Sequence, residues 1–141
     1  MVTIRTAHTQ WHGSLADGTG EATLFSSGAG SFDVTWSARA EAAQGRTGPE
    51  ELIAAALSTC FSMGLSDVLT QAGNAPEHIE TFVHVTFQSG EGIKGMHVEV
   101  NGTVPGISDK DLAGAAEEAM KNSSVRNALT GFEVSLETML A

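Results

Sequence analysis

The sequence carries little positive charge: seven Lys and Arg stand against 17 Asp and Glu in 141 residues, a formal net charge of −10. A surface of that sign repels phosphate backbones and anionic headgroups, so neither nucleic acid nor a membrane is expected as a partner. It has no long apolar run. The longest uncharged stretch, Leu52 to Ser66, is interrupted by Ser58, Thr59 and Ser62 and is shorter than the ~20 residues of a bilayer span. The opening Met1-Val2-Thr3-Ile4-Arg5-Thr6-Ala7-His8 lacks the apolar segment of an export signal, so a soluble, cytoplasmic chain is expected. Proline occurs three times against 16 glycines, which favours short strands joined by tight turns. Cysteine occurs once, at Cys60, which excludes an intramolecular disulfide.

Hydrophobic residues make up 41% of the chain, enough for one compact domain over residues 1–141. Val2 to Trp11 and Glu21 to Ser26 are β-prone, with turns at Asp17-Gly18-Thr19-Gly20 and Ser27-Gly28-Ala29-Gly30. From Ser31, Phe32, Val34, Trp36 and Ala38 alternate with Asp33, Thr35, Ser37 and Arg39, predicting a third strand that reaches Arg39. A polar linker, residues 41–47, leads to Gly48-Pro49-Glu50-Glu51. Proline followed by acids marks the start of a helix, expected to run to about Gln71 and to end at Gly73. Its middle is rich in small residues, so the helix is predicted to be central and buried, with room for a second backbone close by. Strands are predicted over Ile79 to Gln88 and Lys94 to Val104. A helix capped by Ser108 follows to about Asn122, then a helical turn near Val125 to Leu129, then a strand over Glu133 to Met139. Met63, Met96, Phe61 and Phe87 are expected to fill the core. Clustered strands with hairpin punctuation and a few helices indicate an α+β fold.

The chemistry centres on Cys60. Burial disfavours a thiolate, so a reactive Cys60 requires a nearby cation; otherwise it is a small core residue. The upstream segment offers two cations, Arg39 and Arg46, and Glu50 could orient such a guanidinium through a bidentate contact. Glu50 and Cys60 lie ten positions apart on one predicted helix, or ~15 Å along its axis. One arginine would not pair closely with both in a single chain. A site combining all three most simply takes its carboxylate from a second subunit.

The block Thr47-Gly48-Pro49-Glu50-Glu51-Leu52-Ile53-Ala54-Ala55-Ala56-Leu57-Ser58-Thr59-Cys60-Phe61-Ser62-Met63 resembles the signature helix of the OsmC/Ohr family of thiol peroxidases. Gln10-Trp11-His12-Gly13, Val104-Pro105-Gly106-Ile107 and the segment Lys121 to Leu129 are similar to its osmotically inducible branch, so the resemblance covers nearly the whole chain. It implies an OsmC-like fold of strand-rich antiparallel sheets around a long central helix, in an intertwined homodimer with two interfacial sites. It also implies reduction of organic hydroperoxides to alcohols through a sulfenic acid. Cys60 takes the peroxidatic position, Arg39 that of the thiolate-stabilising arginine and Glu50 that of its partner. The segment from Arg39 to Pro49 is slightly longer than the common pattern, which keeps Arg46 as the alternative.

Where the family carries a resolving cysteine, this chain reads Ser123-Ser124-Val125. A hydroxyl cannot form a disulfide. Either an external thiol, such as a dihydrolipoyl group, takes the sulfenic acid, or Ser123 is an introduced replacement, or peroxidase activity is weakened. An unresolved sulfenic acid is open to over-oxidation. A non-catalytic ligand-binding or redox-sensing dimer is the alternative function. Otherwise Ser123 and Ser124 read as a helix cap or turn, without chemistry. The histidines His8, His12, His78, His84 and His97 form no ligand motif with cysteine, so no metal site is expected; His8 and His12 would lie ~13 Å apart on a strand. No glycine-rich strand–turn–helix unit is present, so no cofactor is expected.

Overall fold

The computed structural model describes residues 1–141, which form two compact units, residues 1–52 and 53–141. In the first, β1 (His8–His12), β2 (Thr19–Thr23) and β3 (Ser31–Val34) form an antiparallel sheet in the order β1-β2-β3. The strands are shorter than the alternation predicts, and the third stops at Val34. Residues Trp36–Ala40 form a helix, α1, instead of continuing the strand. The cause is local: the Thr35 hydroxyl accepts the backbone N–H of Ala38 at 3.1 Å, an N-cap that diverts the chain into the five residues of α1. Thr47 then returns beside β3, its N–H donating to the Asp33 carbonyl at 2.9 Å, and so sets the start of the next helix.

That helix, α2 (Pro49–Gln71), begins in the first unit and runs on into the second. Its C-terminus is the predicted one. Gly73 adopts φ +87°, Asn74 N–H donates to the Leu69 carbonyl at 2.8 Å and Gly73 N–H to the Thr70 carbonyl at 3.0 Å. These bonds satisfy carbonyls that a helix end leaves open.

In the second unit, β4 (His78–Gln88) and β5 (Gly92–Thr103) form a long antiparallel hairpin with an irregularity between Thr86 and Phe87. Helices α3 (Asp109–Asn122) and α4 (Ser124–Ala128) follow, and β6 (Glu133–Leu140) pairs with β5 in parallel. The sheets are antiparallel as expected except for this one pair. The chain leaves the end of β5, crosses by two helices and returns to its start, and such a crossover delivers a parallel strand. The capping box predicted for α3 is present: the Ser108 hydroxyl accepts from Asp111 N–H at 3.1 Å, and the Asp111 carboxylate from Ser108 N–H at 3.2 Å.

The core lies in the second unit. Leu57, Phe61, Leu65 and Leu69 repeat every fourth residue on α2 and join Met96, Val98 and Val100 of β5 and Leu112, Ala116 and Ala119 of α3. Each large side chain fully buried here contributes roughly 1.5–3 kcal/mol. The opposite face of α2, with Ala55, Ala56, Thr59 and Met63, is exposed in the single chain. Met63 is therefore not the core residue expected; it is 69% exposed. The first unit contributes no buried hydrophobic residue, and Trp11, Phe25 and Phe32 are exposed.

Candidate active site

Cys60 sits in the fourth turn of α2, half-buried and free. The turn between α3 and α4 runs beside it. Ser123 ends α3 and caps α4, its hydroxyl oxygen accepting Arg126 N–H at 3.2 Å. With its acceptor side engaged, the hydroxyl donates its proton to Cys60 Sγ at 3.2 Å. Ser123 is 4% exposed, so this bond is sheltered from water. The Ser124 hydroxyl lies 3.7 Å from the same sulfur.

These donors hold the Cys60 thiol below its ordinary value. The Ser123 hydroxyl acts most strongly, then the backbone N–H of Val125; partial burial works against them, and the hydroxyl and N–H of Ser124 add to the lowering. None of the groups that lower it is a guanidinium. The expectation that Ser123 and Ser124 carry no chemistry is thus corrected. They cap and turn the chain, and they also place donors on the sulfur. The sequence signal was a serine pair at a helix–helix junction, but which side chain it faced depended on packing 63 positions away.

The expected arginine–carboxylate contact lies in the first unit. Arg39 Nε donates to Glu50 Oε1 at 2.6 Å and to Oε2 at 3.3 Å. The one Nε reaches both carboxylate oxygens. Arg39 reaches Glu50 from helix α1, not from the polar face of a strand. Its Cζ also lies 5.8 Å from the centre of the Trp36 ring, a cation–π arrangement. Glu50 is 8% exposed, and a carboxylate so buried requires its partner. Of the two candidate arginines, Arg39 is the one on Glu50; Arg46 is exposed in the preceding loop. Gly48 makes the approach possible, because a Cβ there would stand 3.1 Å from Arg39 Cβ and 3.3 Å from its Cα. Neighbouring Glu51 receives the Thr47 hydroxyl at the first turn, in keeping with a capping role.

A half-exposed thiol with a lowered pKa, ringed by hydroxyl and N–H donors, is suited to nucleophilic attack on an electrophilic oxygen or sulfur. Its product cannot be resolved by a second cysteine of the same chain.

Residues 39–138 match the family model described as OsmC-like protein. The chain is 30% identical over 143 aligned residues to the Escherichia coli (strain K12) protein named peroxiredoxin OsmC, covering 99% of both. Among solved structures it resembles the organic hydroperoxide resistance protein OhrB of Bacillus subtilis, with TM-score 0.69, 27% identity and coverage of 94% and 97%. The OsmC-like protein of Mycoplasma pneumoniae shares its fold, with TM-score 0.78 at 12% identity and coverage of 100% and 99%.

Proposed function

Because the chain belongs to the OsmC-like protein family, we propose that it is a thiol-dependent peroxidase that reduces organic hydroperoxides through Cys60. The observation that carries the reading is the thiol itself: half-exposed, with a lowered pKa and a sheltered donor 3.2 Å from its sulfur. The names of the relatives, a peroxiredoxin and an organic hydroperoxide resistance protein, support the substrate class.

In this mechanism the Cys60 thiolate attacks the distal peroxide oxygen. The S–O bond forms as the O–O bond breaks, and the leaving alkoxide takes a proton and departs as an alcohol. Cys60 becomes a sulfenic acid. An external thiol then attacks its sulfur and releases water, leaving a mixed disulfide that a second thiol equivalent reduces. The dihydrolipoyl group is the proposed reductant because it supplies both equivalents from one molecule.

Residues 1–141 act as one domain in this proposal, and the working unit is a cytoplasmic homodimer. The exposed small-residue face of α2 and a first unit without buried hydrophobic residues both support an obligatory partner surface. Arg39 and Glu50 are joined within one chain, so a second subunit would bring them to Cys60 as a preformed pair. Arg39 would then steady the thiolate and the leaving oxygen, and Glu50 would position Arg39.

Steady-state turnover of cumene hydroperoxide with dihydrolipoamide, and separately with a monothiol, tests the proposal. Multiple turnovers that vanish in Cys60→Ser are expected. The missing second cysteine favours one competing reading, a redox sensor that is oxidised once. A single oxidation event without turnover by either reductant would establish the sensor and reject the peroxidase.

A further inference from the structure

We propose that the outward face of the second sheet binds one Zn²⁺ ion through His97 Nε2, Glu99 and Glu137. No cysteine neighbours these residues, and their linear spacing shows no ligand pattern. The strand register brings them together. Glu99 and Glu137 are directly opposite across the parallel β5–β6 pair, and His97 is two positions before Glu99 on the same face. One ligand atom from each of the three lies within 4.8 Å of the others.

The two separations from the imidazole are close to those the ion requires. Zinc bonds to nitrogen and oxygen of ~2.0–2.2 Å in a tetrahedral arrangement put neighbouring ligand atoms about 3.3–3.5 Å apart. Here His97 Nε2 is 3.4 Å from Glu137 Oε2 and 3.7 Å from Glu99 Oε1. Three protein ligands leave the fourth position to water. The surroundings supply the outer contacts such sites use. His97 Nδ1 is 2.6 Å from the Ser135 hydroxyl; with Nδ1–H donating there, Nε2 presents its lone pair to the two carboxylates. His84, opposite His97 on β4 and stacked on it with ring centres 6.1 Å apart, brings its Nε2 to 3.5 Å from the other oxygen of Glu99.

Electrostatics favours a dication at this point. Like charges directly opposite on neighbouring strands are destabilising, and here they sit in a chain of net charge −10. A zinc ion offsets both charges.

Equilibrium dialysis of demetallated, tag-free protein against ZnCl₂ is the test, on wild type, His97→Gln, Ser135→Ala and Cys60→Ser. The proposal expects one zinc per chain that persists in Cys60→Ser and disappears in His97→Gln. Ser135→Ala should weaken binding by about 10–100-fold, the usual effect of removing an outer-sphere partner. All three substituted positions sit outside the apolar core, and circular dichroism of the metal-free variants confirms that folding is unchanged. Wild type without saturable zinc binding, His97→Gln binding like wild type, or binding lost only in Cys60→Ser would each overturn the proposal.

Discussion

At Cys60, partial burial raises the thiol pKa while hydroxyl and N–H donors lower it, and the donors prevail. The thiolate is the reacting form, so alkylation by iodoacetamide speeds up as pH rises through the pKa. We predict that this rise occurs at lower pH than for an ordinary exposed thiol, because the donors favour the thiolate. It should move upward in Ser123→Ala, which removes the first and strongest donor. The same substitution removes the α4 cap and should cost about 1 kcal/mol in denaturant unfolding. Ser123→Cys tests resolution from the other side. It places a second sulfur where an oxygen now lies 3.2 Å from Sγ, so one equivalent of peroxide should yield an intrachain disulfide. Non-reducing mass analysis checks this, and the variant should resist over-oxidation better than wild type. The sequence made Cys60 legible through its surrounding block. It did not make the serine donors legible, because a hydroxyl at a helix junction reads as a cap whether or not a thiol faces it.

At the scale of elements, two glycines have separate jobs. Gly73 ends α2 in the left-handed region, and Gly73→Ala should cost about 1–2 kcal/mol, read from the denaturation midpoint. Gly48 lets α1 approach the start of α2. Gly48→Ala would push on Arg39 and lengthen its bond to Glu50, so turnover should fall although Cys60 is untouched. Phe61→Ala, on the buried face of α2, should cost about 3–5 kcal/mol. The helix boundaries at Pro49 and Gly73 and the Ser108 cap were readable because proline and glycine act through their own backbone and a capping hydroxyl acts within one turn of it. The third strand was over-extended because Trp36 and Ala38 continue a two-residue alternation that a cap at Thr35 overrides. The parallel pairing of β6 was not readable from periodicity, since alternation reports which face is buried and not which way a neighbour runs.

The whole molecule raises a question of surface. A three-stranded sheet in a unit without buried hydrophobic residues is not stable alone, and α2 shows an apolar face to solvent. We predict a species of twice 14.6 kDa by light scattering, with a melting temperature that rises with protein concentration. The small residues along α2 suggested such a surface from sequence. The sequence alone points to Glu50 as the residue a second subunit supplies to Arg39, whereas the two pair within one chain.

The central claim is that Cys60 is the peroxide-reacting nucleophile. It is tested most directly by adding one equivalent of cumene hydroperoxide with dimedone present, then measuring intact mass and mapping peptides. The predicted result is a single dimedone adduct on Cys60, absent in Cys60→Ser. A Cys60 that stays reduced and unmodified while hydroperoxide remains in solution would contradict it.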